Sequence, residues 1–251
     1  MSRPTFLSVV GELFLTAGAL LLLFAFYEAY WTNLEAAEEQ HRVADTMEER
    51  WANQRTTRTP ELGEAFARMY IPAFGPDFQF AIVEGTSDAD LLAGPGRYVD
   101  TQMPGKPGNF AVAGHRVGKG APFNDLGVLR SCDAVVVETE DSWDIYRMLP
   151  VDGDDREAAA AGCLSPEQVQ RVAHGDYSHV PGREITVPGD IATIDPIPGM
   201  DLAVNDSMEG LMTMTTCHPQ FSNKERMILH AMLVRTDPKT PGYTPAELQE
   251  N

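Results

Sequence analysis

Residues 6–31, FLSVVGELFLTAGALLLLFAFYEAYW, form an almost unbroken apolar run with Glu12 and Glu28 as its only charges. As an α-helix rising ~1.5 Å per residue, the run reaches roughly 39 Å, enough to cross a bilayer. Such a segment has no stable place in a water-facing domain, so it divides the chain into a short leader, a span and everything that follows. Tyr27, Tyr30 and Trp31 close the run as an aromatic belt. A cleaved signal peptide needs a short apolar region and small residues at its cut site, and this run has neither, so an uncleaved signal anchor is predicted. Arg3 precedes the span and Glu35, Glu38 and Glu39 follow it. This asymmetry places residues 1–5 in the cytoplasm and the remainder outside the plasma membrane, as a single-pass protein.

Residues 32–76 read as a stalk. Leu34, Ala37, Val43, Met47 and Trp51 recur at loosely helical spacing among many charges, which predicts a solvated helix with one modest apolar face, a spacer rather than a core element. Residues 55–60, with Pro60, break that pattern. From Phe78 onward the texture changes to short apolar runs between turn residues. Strands are predicted at 78–83, 110–113, 134–139, 143–148, 191–194, 211–216 and 227–234, and with few helical patterns between them a closed antiparallel β-barrel is favoured. Between them, 150–190 reads as a helical insertion. It holds an alanine-rich helix at 156–161 stopped by Gly162, then Ser165-Pro166-Glu167-Gln168, an N-cap serine, an N1 proline and a capping glutamine. Residues 237–251 read as a C-terminal tail, ordered at first and then frayed.

The formal net charge of −18 argues against nucleic-acid binding and against adhesion through a polybasic patch. No Cys-Xaa2-Cys or His-Glu-Xaa2-His spacing suggests a metal, and no glycine-rich phosphate loop is visible.

The chemistry concentrates in Thr213-Met214-Thr215-Thr216-Cys217-His218-Pro219, with Arg226 nine residues after the cysteine and Gly114-His115-Arg116 far upstream. A thiol attacks as thiolate and needs a partner that manages protons, while the carbonyl it attacks develops negative charge that a fixed cation can stabilise. Cys217, His115 and Arg226 are the residue types this chemistry requires. His115 and Cys217 lie 102 positions apart, so only a fold can bring them together. His218 adjoins the cysteine, but consecutive strand side chains point to opposite faces, so it is expected to be peripheral.

Three blocks in order, 107–116 (PGNFAVAGHR), 121–126 (APFNDL) and 213–226, resemble the sortases, the cysteine transpeptidases of the Gram-positive cell surface, and most resemble class E sortases of high-GC bacteria. The resemblance covers residues 77–236 and implies an eight-stranded barrel with the cysteine and arginine on neighbouring strands. It implies cleavage of a C-terminal LAxTG- or LPxTG-type signal between Thr and Gly. Cys217 would form the thioacyl intermediate, His115 act as acid and base, and Arg226 face the scissile carbonyl. The donors would be signal-bearing surface proteins or pilins, the acceptor an amine on a peptidoglycan precursor or a pilin, and no cofactor is required. Thr216 is expected at the substrate, and Tyr98 is a weaker candidate contact. Arg235 is a weaker candidate than Arg226, and Arg116 is expected to anchor a loop.

Outside the membrane, free cysteines tend to pair, and pairing Cys132 with Cys163 leaves Cys217 free. Cys132 stands where the related proteins have glycine, and Cys163 lies in the insertion, so a bridge would pin the insertion to the barrel. Other cell-wall cysteine enzymes fit less well: L,D-transpeptidases carry arginine two positions after the cysteine, where this chain has Pro219, and papain-like enzymes place the cysteine before its histidine. A catalytically silent, membrane-tethered binding domain is the alternative from another class. Thiol counting on the denatured, unreduced chain is expected to find one reactive thiol, and three would remove the proposed bridge.

Overall fold

This computed structural model describes residues 5–53, 59–151 and 153–250. Residues 1–4, most of the predicted cytoplasmic leader, and the break at 55–58 lie outside them. Helix α1 (Phe6–Phe26) has a mean hydropathy of 2.2 in its most apolar window and buries none of that window against the rest of the chain. It continues through a π-helical turn, Tyr27–Trp31, into α2 (Thr32–Asn53), so one helical path leads from the apolar segment to the folded domain.

Eight strands close a barrel: β1 (Ala65–Tyr70), β2 (Gln79–Glu84), β3 (Gly96–Arg97), β4 (Gly108–Ala113), β5 (Ala134–Glu138), β6 (Ser142–Met148), β8 (Gly210–His218) and β9 (Glu225–Pro238). Their order is β6-β5-β1-β2-β3-β4-β8-β9, and β9 pairs back onto β6. The ninth strand, β7 (Arg183–Thr186), stands outside this ring on the far edge of β9. Most pairings are antiparallel, but β4 and β8 run parallel over six pairs, from Gly108↔Gly210 to Ala113↔Thr215. All of β4 is buried, as expected for a strand covered on both faces.

Period-two alternation sends one set of side chains inward. Met69, Phe110, Phe123, Val135, Tyr146, Met212, Met214 and Leu229 fill the barrel. A second apolar cluster lies outside, where Leu149, Leu164, Val172, Tyr177 and Val180 cover Leu211 and Met232 on the outer face of β8 and β9. The covering layer is the insertion, with α4 (Arg156–Ala161), α5 (Pro166–His174) and β7. Ser165 caps α5 in a reciprocal capping box with Gln168, as its sequence suggests. A Cys132–Cys163 disulfide joins this layer to the start of β5.

Several sequence expectations are corrected. Residues 191–194 form a 3-10 turn, because β7 already occupies the edge of β9 that such a strand would need. The segment 150–190 is therefore not wholly helical, and it is not the whole covering layer. The stalk does not extend to residue 76: Ala65–Tyr70 is a barrel strand whose alternation was hidden by apolar residues on both faces. Nor is 32–53 a free spacer. Ala36, Val43 and Met47 of α2 are buried, and Val43 and Met47 pack with Ala65, Ala81, Val83 and Ala93. Leu34, assigned to that face from its spacing, is exposed. The order of the tail reaches further than expected, for Leu248 packs near Trp143 and Ile145, and Arg147 pairs with Glu250.

Met47 is fully buried, so Met47→Ala is expected to cost about 2 kcal/mol or more in urea unfolding of the full chain. A spacer lying free of the barrel would show no change.

Candidate active site

The outer face of the β8–β9 pair changes character along its length. At one end Leu211 faces Met232 beneath the insertion. One step on, Thr213 faces His230, and both are fully buried. The Thr213 hydroxyl lies 2.8 Å from Asn109 Oδ1 and 2.9 Å from His230 Nδ1, and the Asn109 amide donates to the Asp195 carbonyl. This closed set satisfies polar groups that would otherwise be costly to bury. At the end of the strand Cys217 faces Arg226.

His115 comes from the parallel neighbour. Beyond Ala113↔Thr215, the chain is tied to β8 almost residue by residue. Gly114 N donates to the Thr215 carbonyl at 3.1 Å, the Thr216 hydroxyl donates to the Gly114 carbonyl at 2.8 Å, and Arg116 Nη1 donates to the Cys217 carbonyl at 3.2 Å. These bonds hold His115 alongside the Cys217 end of β8. Gly114 permits this course: a Cβ there would meet the Phe123 ring at 2.5 Å. The His115 carbonyl accepts from Phe123 N, which folds the following loop back over the barrel end.

Burial holds the His115 imidazole below its ordinary pKa, and the Lys119 charge adds to the effect while Asp88 opposes it. Its Nε2 is buried with no hydrogen-bond partner among the described residues. Because the folded state prefers the neutral ring, this group's contribution to stability is complete above the unfolded value, about 6.5, and is lost as pH falls below it.

Cys217 is a free thiol, partly exposed, and its Sγ donates to Asn223 Oδ1 at 3.4 Å. Arg226 Nη1 donates to the carbonyls of Glu225 at 3.0 Å and Asn223 at 3.4 Å. Asn223 therefore touches both groups from the loop joining β8 to β9. Sequence reasoning missed it, since one asparagine in a short polar loop carries no spacing signal.

The remaining candidates separate clearly. Tyr98 is held by β3 and by the buried Arg97–Glu84 pair (Nε to Oε2, 2.7 Å), and its hydroxyl lies 2.9 Å from Thr215 Oγ1, two residues before Cys217 on the same face. Thr216 alternates inward, is buried, and commits its hydroxyl to Gly114, so its side chain holds the strand end instead of facing a substrate. His218 is bound through Nδ1 to Arg116 Nη1 at 2.7 Å. Arg235 pairs with Asp237 and Glu247 at the other end of β9. A cavity of about 430 Å³ lined by Trp51, Phe66, Lys106 and Ser142 lies at that distant end and shares no residue with the Cys217 site.

Residues 69–234 match the family model of the Sortase domain. The chain is 65% identical to the SrtF sortase from Corynebacterium diphtheriae, whose solved structure aligns over 79% of this chain and 98% of its own with a TM-score of 0.77. Sortase SrtE1 of Streptomyces coelicolor is 31% identical over 93% of this chain; the chain spans 58% of that relative's length. A solved structure of Sortase E1 from the same organism, with a tripeptide in its active site, is 27% identical and aligns over 76% of this chain and 99% of its own, with a TM-score of 0.55.

Removing the Lys119 charge should let the imidazole protonate more readily. Lys119→Gln is expected to raise the His115 pKa in an NMR titration, and Asp88→Asn to lower it.

Proposed function

The chain belongs to the sortase family of cysteine transpeptidases, and from that premise we propose that it is a membrane-anchored enzyme whose reacting groups are Cys217, His115 and Arg226. The observation that carries this reading is the direct cross-strand pairing of Cys217 with Arg226, beside a strand end that holds His115. Helix α1 is long and apolar enough to serve as the anchor, with the barrel on the extracellular side.

The donor is a protein bearing a C-terminal LAxTG- or LPxTG-type signal. Its peptide would lie across the exposed end of β8 and β9 at Cys217, as the tripeptide lies in the active site of the related Sortase E1. The Cys217 thiolate attacks the Thr carbonyl carbon, and Arg226 stabilises the oxyanion with a charge that needs no proton transfer. As the Thr–Gly bond breaks, His115 gives its proton to the departing glycine amine and leaves a thioester on Cys217. An acceptor amine, from a peptidoglycan precursor or a pilin lysine, then attacks the thioester. His115 takes the amine's proton, an amide forms and the thiolate departs. Tyr98 would contact the peptide near the scissile residue, a reading supported by its hydroxyl's 2.9 Å contact with Thr215 Oγ1. Burial and the Lys119 charge favour the neutral His115 ring, the form that can accept a proton as acylation begins.

The test offers LAxTG and LPxTG peptides with an amine acceptor to the full chain and reads products by mass spectrometry. The expected result is cleavage after Thr with an amide product, abolished in Cys217→Ala and reduced about 10²–10³-fold in Arg226→Ala. A folded protein with a reduced Cys217 that forms no acyl-enzyme on any such signal would point to a silent binding domain.

A further inference from the structure

Helix α2 fixes which end of the barrel meets the membrane. Its first turn lies at the active-site end, where Asn33 Oδ1 accepts from Gly120 N at 3.0 Å. A Cβ on Gly120 would also meet Gln40 Nε2 at 2.4 Å, so α2 lies directly against the loop that follows His115. The last turn of α2 lies at the opposite end. There Arg50 donates to the Ala65 carbonyl and pairs with Glu64, and Trp51 stacks under Lys239, which also contacts the β5–β6 hairpin through the Thr139 carbonyl. At ~1.5 Å per residue the 22 residues of α2 span about 33 Å. Asn33 stands only two residues beyond Trp31, the end of the aromatic belt that closes the apolar span.

A second observation points the same way. Val117, Val128, Val187, Ile191 and Phe221 are all exposed, Phe221 at 88%. Each belongs to a loop or turn near the Cys217 end: Val117 follows His115, Val128 lies where Gly127 approaches Met227, Phe221 follows Cys217, and Val187 and Ile191 lie just past Thr186, the partner of Arg226. Apolar side chains ringing one end of an otherwise strongly acidic protein are the kind of surface that settles at a lipid interface. Only four lysines occur in the chain, and two of them, Lys119 and Lys224, sit on these same loops, where they suit interfacial phosphates.

We propose that the mouth of the Cys217 site faces the bilayer and that residues 117–120 and 219–224 rest at its surface. This rests on α1 being the membrane anchor. The helical path through Tyr27–Trp31 ends beside the His115 loop, and the docked face of α2 prevents the barrel from swinging the other end down. Acyl transfer is then confined to the membrane surface, so the site serves donors and acceptors that are themselves held there.

The experiment uses the full chain with Cys217→Ala, reconstituted in nanodiscs, with a bimane label on Lys119→Cys, Phe221→Cys or Glu140→Cys. Glu140 is in the β5–β6 hairpin at the far end. Phosphatidylcholine carrying a nitroxide on its headgroup is the quencher. The expected result is quenching at least threefold stronger at 119 and 221 than at 140. Equal quenching at all three sites, or stronger quenching at 140, in protein that co-elutes with nanodiscs overturns the orientation and leaves the anchor intact. Failure of the chain to co-elute with nanodiscs overturns the anchor itself, and the orientation with it.

Discussion

The parallel pairing of β4 with β8 is the constraint on which the site depends. It aligns two strand ends whose residues are far apart in sequence, and the bonds from Gly114, Thr216 and Arg116 extend that alignment past the last regular pair. A slip of one residue would turn Cys217 into the barrel and bring Thr216 out. Two features resist such a slip. Met212 and Met214 are locked among inward-facing core residues, and Thr213 is held on the outside by Asn109 and His230. The proposed nucleophile therefore owes its position to a register enforced from both faces of the sheet.

The outer face of β8 and β9 turns that register into a usable surface. Near Leu211 and Met232 it is covered by the insertion and serves stability; near Cys217 and Arg226 it opens. The buried polar set between them marks the boundary and is fully paired, as a low-dielectric setting demands. The insertion contributes in two ways: α4 and α5 shield the apolar end, while β7 runs beside β9 until Thr186 stands opposite Arg226. The disulfide to Cys132 ties this layer to the barrel. The loop carrying Asn223 closes the remaining side, where one amide oxygen meets the thiol and the same residue's carbonyl meets the arginine.

Helix α2 joins this architecture to the apolar helix α1. Its buried alanine, valine and methionine face lies across β1, β2 and the short helix α3 (Asp88–Ala93), and polar contacts tie both of its ends to the barrel. A helix held at both ends transmits orientation, which a flexible linker does not. The docked tail acts similarly at the far end, where Glu247 and Glu250 gather Arg147 and Arg235. Acidic residues that gave the chain its large negative charge are in part partners of specific arginines.

The apolar span, the β-rich barrel, the two capped helices of the insertion and the three residue types of the candidate site are legible in the chain alone. Each of these is written in local pattern: continuous hydrophobicity, period-two runs, a serine before a proline, and motif blocks around a cysteine and a histidine. Which surfaces meet was set by the folded arrangement. Ala65–Tyr70 became a strand because β2 and β5 offered it edges, and Ile191–Ile194 did not because β7 had taken the edge of β9. Leu34 stayed exposed and Ala36 went inside, because the docked face of α2 is set by the shape of the barrel and not by hydrophobicity alone. Thr216 turned inward onto Gly114 and Asn223 came to touch both Cys217 and Arg226 for the same reason. Strand alternation and loop course place side chains in space, and neither the facing of a strand nor the return of a loop can be read without the neighbours that enforce it.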